Sequence, residues 1–170
     1  MKTRSYLHRS ALLLVIFGVL LLNQGCKPRL LPSTNVPATR VNKSIVSFLE
    51  HYKSNLEKRS VDSIMELVAK DFKDNMGSED PANYLDYLGL KERLDKTLPR
   101  ISDLRLGLFV QHIAKIAKDT YEVVFYFNKH LLVDVPAGEK WISVKEVSRM
   151  ELRKRQDKDS PYEYEIIKGI

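Results

Sequence analysis

The spacing of the apolar residues changes once along this chain, and this change limits the fold more than any other feature of the sequence. Before residue 70, apolar side chains recur at three- and four-residue steps, which is the period of an amphipathic helix. After residue 103 they alternate with polar side chains, which is the period of a β-strand. Helices followed by strands indicate an α+β domain in which the helices pack on one face of a curved antiparallel sheet.

Three helices are predicted in the first part of this domain. Ser60 offers a hydroxyl N-cap for the second helix, over residues 61–70. The third helix covers residues 81–98 and is expected to break near Gly89. The first helix covers residues 41–58, and its apolar stripe consists of Val41, Ile45, Phe48, Leu49, Tyr52 and Leu56.

Four to six antiparallel strands are predicted in the second part. Alternation and β-branched or aromatic residues place them at residues 104–110, 121–127, 130–135, 141–155 and 162–170. Within the fourth strand the alternation shifts near Ser148 and Arg149, which predicts a β-bulge at that point.

The N-terminal residues have the character of a targeting segment. Residues 1–9 carry three basic side chains and no acidic one, and residues 11–22 are apolar apart from Gly18. A basic region followed by a short apolar region is typical of a signal peptide, and the apolar run is shorter than the roughly 20 residues of a membrane-spanning helix. We therefore predict a signal peptide over residues 1–25.

The end of this segment, Leu22-Asn23-Gln24-Gly25-Cys26, resembles the lipobox of bacterial lipoproteins. Gly25 supplies the small residue that the peptidase needs, whereas Asn23 stands where an aliphatic residue is usual. The resemblance implies that Cys26 carries fatty-acyl chains such as palmitate and becomes the N-terminus of a protein anchored to a membrane of the bacterial cell envelope. Lys27 after the cysteine favours the outer over the inner membrane. Plain secretion and an uncleaved anchor remain the alternatives.

Residues 26–40 are predicted to be the lipidated cysteine and a tether. Three prolines among Ser, Thr and Asn stiffen this stretch and disfavour a helix. The predicted organisation is thus a signal peptide at 1–25, a tether at 26–40 and a folded domain at 41–170.

Charge and cysteine content exclude several kinds of site. Three of the 28 basic residues lie in the leader, which leaves 25 against 22 acidic residues, and the basic run 149–155 is interrupted by Glu151. Binding to nucleic acid needs a concentrated positive patch, so we expect none. With Cys26 as the only cysteine and no histidine pair at ligand spacing, we predict no internal disulfide, no metal site and no cofactor.

Three stretches of the domain resemble the nuclear transport factor 2-like (NTF2-like, or SnoaL-like) superfamily. They are Phe48-Leu49-x-x-Tyr52, the helical stretch 62–72 that ends in Asp71-Phe72, and the closing segment 164–170. The resemblance covers residues 41–170 and implies a cone-shaped fold whose curved sheet encloses a cavity. Members of that superfamily include isomerases, dehydratases, lipid binders and protein–protein modules, so the resemblance leaves the function open.

We expect the lining of this cavity to include one histidine and several aromatic residues. His112 has the strand parity of Leu108 and Val110, so it is expected to point inward. The expected aromatic lining residues are Tyr52, Tyr87, Phe125 and Trp141.

No set of catalytic residues stands out, so the prediction favours a non-enzymatic domain that binds a small apolar ligand, a peptide or an envelope protein. Glu146 alternates with apolar neighbours and is expected to face water. The first alternative is a cavity enzyme of the ketosteroid isomerase or dehydratase type, with a buried and partnered acid or histidine. The second is a homodimer scaffold that uses the exposed sheet face near Val124, Tyr126 and Ile142.

Overall fold

The computed structural model describes residues 29–75, 78, 80, 84–136, 138–157 and 159–170. The predicted signal peptide and Cys26 lie outside these residues. The described helices are α1 (Arg40–Glu57), α2 (Val61–Met65) and α3 (Tyr87–Thr97), and the strands are β1 (Lys73–Asp74), β2 (Leu85–Asp86), β3 (Ile101–Ala117), β4 (Thr120–Val135), β5 (Gly138–Lys154) and β6 (Tyr164–Lys168). The predicted α+β order is confirmed.

Helix α1 forms where the apolar stripe predicts it. The side chain of Thr39 caps it by accepting a hydrogen bond from the Asn42 backbone N–H at 3.1 Å. The stripe faces the sheet, because Ile45, Leu49 and Tyr52 are all buried. Among the described residues, no helix combines the length and the apolar character needed to cross a bilayer.

Helix α2 begins as predicted but ends earlier than residue 70. The Ser60 side chain caps it by accepting from the Ser63 backbone N–H. The chain then leaves the helix, because the Leu67 carbonyl accepts from Ile166 N–H at 2.8 Å and Ala69 N–H donates to the Ile166 carbonyl at 2.9 Å. These bonds to β6 replace the helical bonds that the sequence pattern predicted.

Helix α3 is continuous through Gly89, so the predicted break there is wrong. Gly89 lies in the first turn, and its backbone N–H donates to the Asp86 carboxylate at 2.8 Å. Asp86 is therefore the N-cap, and it also ends β2, which pairs with β1 as a small separate sheet.

The main sheet is antiparallel, in the order β3-β4-β5-β6. The predicted strands 121–127 and 130–135 form the single strand β4, since pairing with β3 and β5 continues through Asn128 and Lys129. Pairing between β4 and β5 passes Ser148 and Arg149 without a shift, so the bulge predicted there is absent. Shifts occur instead between Val110 and His112, between Lys115 and Ala117, and where Glu151 and Leu152 face β6.

The two sides of this sheet differ in their surroundings. The inner face carries Val123, Phe125 and Phe127, which are buried under the helices. The outer face carries the alternate residues, among them Val124 and Tyr126, which are partly exposed. Residues paired across antiparallel strands share a face, so the register assigns the strand residues to one face or the other.

The predicted tether is shorter than expected, because residues 30–37 fold onto the domain as a small hairpin. Leu30 pairs with Pro37, and Thr34 pairs in parallel with Val110 at the edge of β3 that no other strand covers among the described residues. Val36 is 3% exposed. Burial of this side chain and pairing with an open strand edge give the segment a fixed place. The domain therefore includes Leu30 and does not start at residue 41.

Candidate functional site

A cavity of about 200 Å³ lies between α1, α3 and the inner face of β4 and β5. Alternation along the strands directs every second side chain into it, and the C-terminal half of α1 closes the opposite wall. Its apolar lining consists of Tyr52, Leu56, Leu90, Leu94, Phe125, Phe127, Met150 and Ile170. We call this space the inner cavity.

Polar groups are concentrated at one rim of the inner cavity. Lys129 Nζ and a Glu146 carboxylate oxygen form an ion pair at 2.6 Å across the ladder between β4 and β5. Both side chains are partly exposed, at 27% and 51%, which places the pair at the opening and not at the floor. Ser148 follows on the same face of β5, and Arg93 and Thr97 of α3 complete the polar lining.

Tyr52, in the wall formed by α1, provides a buried polar group of the inner cavity. Its side chain is 4% exposed, and its ring centre lies 6.3 Å from that of Phe127. Burial raises the pKa of the Tyr52 hydroxyl well above its ordinary value, and the charge of Glu146 raises it further. The hydroxyl is therefore neutral at physiological pH and can both donate and accept a hydrogen bond.

Of the predicted aromatic residues, the structure brings Tyr52 and Phe125 together in the inner cavity. Tyr87 lies outside it, where Lys70 Nζ donates to its hydroxyl at 2.7 Å.

Trp141 is also outside the inner cavity. It pairs with Leu132 on the outer face and is 46% exposed, and the Arg105 guanidinium lies 4.9 Å from its ring centre. Binding by Tyr52 and Phe125 stays a prediction.

His112 lies on the outer face and is exposed, so the inference from its parity was wrong. Val110 pairs with Phe125, but the next pair is His112 with Val124, because Gln111 is an extra residue in β3. A bulge of one residue turns the following side chains to the opposite face. The histidine therefore shares the face of Val124 and not that of Val110.

The residues named for the exposed sheet face also divide between the two faces. Val124 and Tyr126 lie on the outer face, whereas Ile142 pairs with Leu131 and lies on the inner face. The apolar β5 residue that lies opposite Tyr126 on the outer face is Val147.

The polar rim of the inner cavity is what the sequence analysis missed. Glu146 was expected to face water, and its side chain is 51% exposed, but it also lines the opening of the cavity beside Lys129. The signal was present, because Glu146 and Ser148 have the same parity as Met150 and Leu152, which are buried. This shared parity was not recognised because a bulge was expected at Ser148, and a bulge there would have turned the earlier residues of β5 to the opposite face.

A larger groove of about 510 Å³ lies outside the sheet, between α2, the start of α3 and the segment after β5. It is open to solvent, and Lys91, one of its charged side chains, already pairs with Asp62 in the groove at 3.8 Å and with Asp95 outside the lining at 2.9 Å. We therefore take the smaller inner cavity as the candidate site. Within the described residues, no cluster of His, Cys, Asp and Glu is arranged to hold a metal ion.

No protein-family model matches the sequence. A search of curated proteins also gives no match.

Solved structures do match the fold. A ketosteroid isomerase-like protein from Erwinia carotovora atroseptica aligns with a TM-score of 0.60 at 10% identity, over 77% of this chain and 94% of that one. An NTF2-like superfamily protein from Salmonella enterica serovar Typhimurium gives 0.58 at 12% identity, over 76% and 87%. A hexachlorocyclohexane dehydrochlorinase gives 0.58 at 11% identity, over 76% and 82%. At such identities the likeness establishes the fold and no activity.

Proposed function

We propose that this chain, whose folded domain has the nuclear transport factor 2-like fold, is a membrane-anchored lipoprotein that binds a small apolar group without catalysis. The observation that carries the proposal is the inner cavity, which has an apolar floor of Phe125, Phe127 and Met150 and a polar rim of Lys129 and Glu146. Apolar concave sites with a few polar groups are the usual form of a ligand pocket.

The size of the inner cavity limits what it can hold. Its volume of about 200 Å³ lies below the roughly 300–1,000 Å³ of pockets for drug-sized ligands. An aromatic ring, a short acyl chain or one side chain of a peptide fits this space, whereas a complete sterol does not. The ligand class that we propose is therefore a small apolar molecule or the apolar end of a larger one.

The groups around the cavity favour binding over acid–base chemistry. A general base must be free to reach the proton that it removes. The carboxylate of Glu146 is already held by Lys129 at 2.6 Å. His112 lies on the outer face, where it cannot supply a second catalytic group to the cavity. The isomerase and dehydratase alternative therefore has weaker support than binding.

The proposal of binding can be tested by filling the cavity. Ser148→Phe puts a large side chain into the inner cavity, whereas Ser143→Phe makes the same change on the outer face of the same strand. We expect Ser148→Phe to weaken binding of indole at least tenfold, measured by NMR titration, and Ser143→Phe to leave it unchanged. Equal binding by both variants contradicts the proposal. Ser148→Val serves as a smaller replacement if Ser148→Phe disturbs the fold.

The membrane anchor rests on the sequence, where Cys26 follows the apolar region directly. Expression in a bacterial host followed by mass spectrometry tests it. We expect the mature chain to begin at Cys26, to carry a diacylglyceryl group and to partition into detergent, and the Cys26→Ala variant to do none of these. A parent chain that lacks the acyl mass contradicts the anchor.

A second candidate is a homodimer that forms through the outer face. Phe109 and Tyr126 stack there with ring centres 5.0 Å apart, and the neighbouring Val147 is 64% exposed. Exposed apolar side chains in one patch are typical of an interface. Sedimentation equilibrium tests this: Val147→Glu should shift a dimer to monomer, and a parent chain that is monomeric at every concentration contradicts it.

A further inference from the structure

We propose that the domain sits on its membrane in one orientation, with the N-terminal end of α1 against the lipid surface and the opening of the inner cavity directed away from it. This proposal rests on the lipid anchor proposed above, and it identifies the side from which the cavity takes its ligand. It is carried by the short tether, by the composition of one end of the domain and by the position of the cavity.

The chain between the domain and the lipid is short. The Arg29 carbonyl accepts a hydrogen bond from the Ala38 backbone N–H at 2.7 Å, so the chain is fixed to the domain by residue 29. Cys26 is three residues away, and three extended residues span at most about 11 Å. A flexible tether from 26 to 40 would have let the domain tumble, whereas this short one holds the hairpin close to the headgroups.

This short tether brings one end of the domain to the lipid surface, and we call it the proximal end. It comprises the base of the hairpin at Leu30 and Pro37, the start of α1 and the turn between β3 and β4. Asn42 Nδ2 donates to the Pro37 carbonyl at 2.8 Å, and Lys154 N–H donates to the Asp119 carbonyl beside Arg40 and Val41. Leu30, Val41 and Ile116 are exposed there at 49%, 38% and 48%.

The charges at the proximal end favour an anionic lipid surface. Arg40, Lys115 and Lys118 are exposed. Of the nearby acids, Glu163 is engaged by the Ser44 hydroxyl and by Lys154 at 3.2 Å, and Ser44 is the main cause that lowers its pKa. Basic residues with exposed apolar side chains between them are the combination that attracts a protein to anionic headgroups.

The opening of the inner cavity lies far from the proximal end. Helix α1 has 18 residues and starts at the proximal end, so its far end is about 27 Å away. Lys129 at the cavity rim lies nine residues along β4 from Thr120 beside the proximal turn, which corresponds to about 30 Å. The opening is therefore beyond the reach of a lipid that remains in the anchoring membrane, and the ligand arrives from the aqueous side.

The test compares two positions with the same substitution. Ile116→Cys and Ile142→Cys replace exposed isoleucines at the proximal end and at the opposite end of the sheet. The full lipidated chain, labelled with a fluorophore at the new cysteine, is reconstituted into vesicles of phosphatidylcholine and phosphatidylglycerol that contain a headgroup-attached spin label. We expect severalfold stronger quenching at position 116 than at 142.

A control variant with a long, flexible insertion rich in Gly and Ser between residues 28 and 29 separates the two proposals. It should keep the acyl mass and the vesicle attachment, and lose the difference in quenching, because a long flexible tether frees the domain. Equal or reversed quenching in an attached parent chain overturns the orientation and leaves the anchor standing. A chain that lacks the acyl mass and stays in solution overturns both.

Discussion

Strand β5 shows two environments on one face of one strand. Met150 and Leu152 are 1% and 0% exposed, whereas Ile142 and Val144 are 39% and 45% exposed. All four point to the inner face, because pairing with β4 runs through them without a shift. We call the residues around 150 and 152 the covered half and those around 142 and 144 the open half. Alternation fixes which way a side chain points, but a helix must lie over it to bury it.

The difference arises from where the helices lie. Across the sheet from the open half, α1 still covers β3. Leu106 is 6% exposed there, and its backbone N–H donates at 2.8 Å to the carboxylate of Glu57, the last residue of α1. Among the described residues, no helix extends over the first half of β5 in the same way. The Lys129–Glu146 ion pair lies at this border, so the rim of the inner cavity is where coverage stops.

Substitutions in the covered half should lower the free energy of unfolding most. Leu152→Ala should lower it by about 2–5 kcal/mol, because the fully buried side chain leaves a cavity. Ile142→Ala, on the same face of the same strand, should cost no more than about 1 kcal/mol, since that side chain already contacts water. Urea unfolding measures both. Losses of similar size would remove the distinction between the two halves.

Two glycines with positive φ extend the comparison to the backbone. Gly169, at φ +83°, packs under the covered half, where an added Cβ would lie 1.9 Å from the Arg149 carbonyl oxygen. Gly138, at φ +108°, starts the open half with nothing within 4 Å of such a Cβ. Gly169→Ala should therefore cost about 1–3 kcal/mol more than Gly138→Ala, measured by thermal unfolding. Equal costs would indicate that the segment after β6 is free to move away.

The free energy of unfolding at alkaline pH should depend on Tyr52, which is buried in the α1 wall of the inner cavity. Burial raises the pKa of Tyr52 in the folded state. Its contribution to the free energy of unfolding is therefore complete below the unfolded pKa of about 10 and is lost as the pH rises above that value. Above that pH, Tyr52→Phe should lose less stability than the parent chain, by about 1.4 kcal/mol per pH unit. Urea unfolding at a series of alkaline pH values measures this. Parallel curves would indicate that the hydroxyl is hydrated.

The smallest effect concerns an ion pair at the edge of the covered half. The Arg153 guanidinium donates to Asp71 at 2.7 and 2.9 Å and thereby lowers the pKa of that carboxyl. Asp71 is 66% exposed, so screening should limit the loss in Asp71→Asn to less than about 1 kcal/mol. The contribution of this ion pair to the free energy of unfolding is present above the unfolded pKa of about 3.9 and disappears as the pH falls through the lowered pKa of Asp71 in the folded state. A loss that is unchanged in strong acid would contradict this cause.

Sequence reasoning succeeded where a pattern depends on near neighbours. The stripe of Ile45, Leu49 and Tyr52 predicted α1 within one residue at each end, and alternation predicted that Phe125 points inward. It failed where a distant segment intervened. The second half of α2 was lost to hydrogen bonds with Ile166, and His112 was turned outward by one extra residue in β3.

The α+β order and the direction of side chains along uninterrupted strands follow from local sequence patterns, because both depend on the geometry of residues two to four positions apart. Contacts in the folded domain establish which half of β5 is buried, where the strand register shifts, and that residues 30–37 belong to the domain. These features depend on contacts between parts of the chain far apart in sequence, such as Thr34 with Val110, and no local period encodes them. The inner cavity and its polar rim belong to this second group.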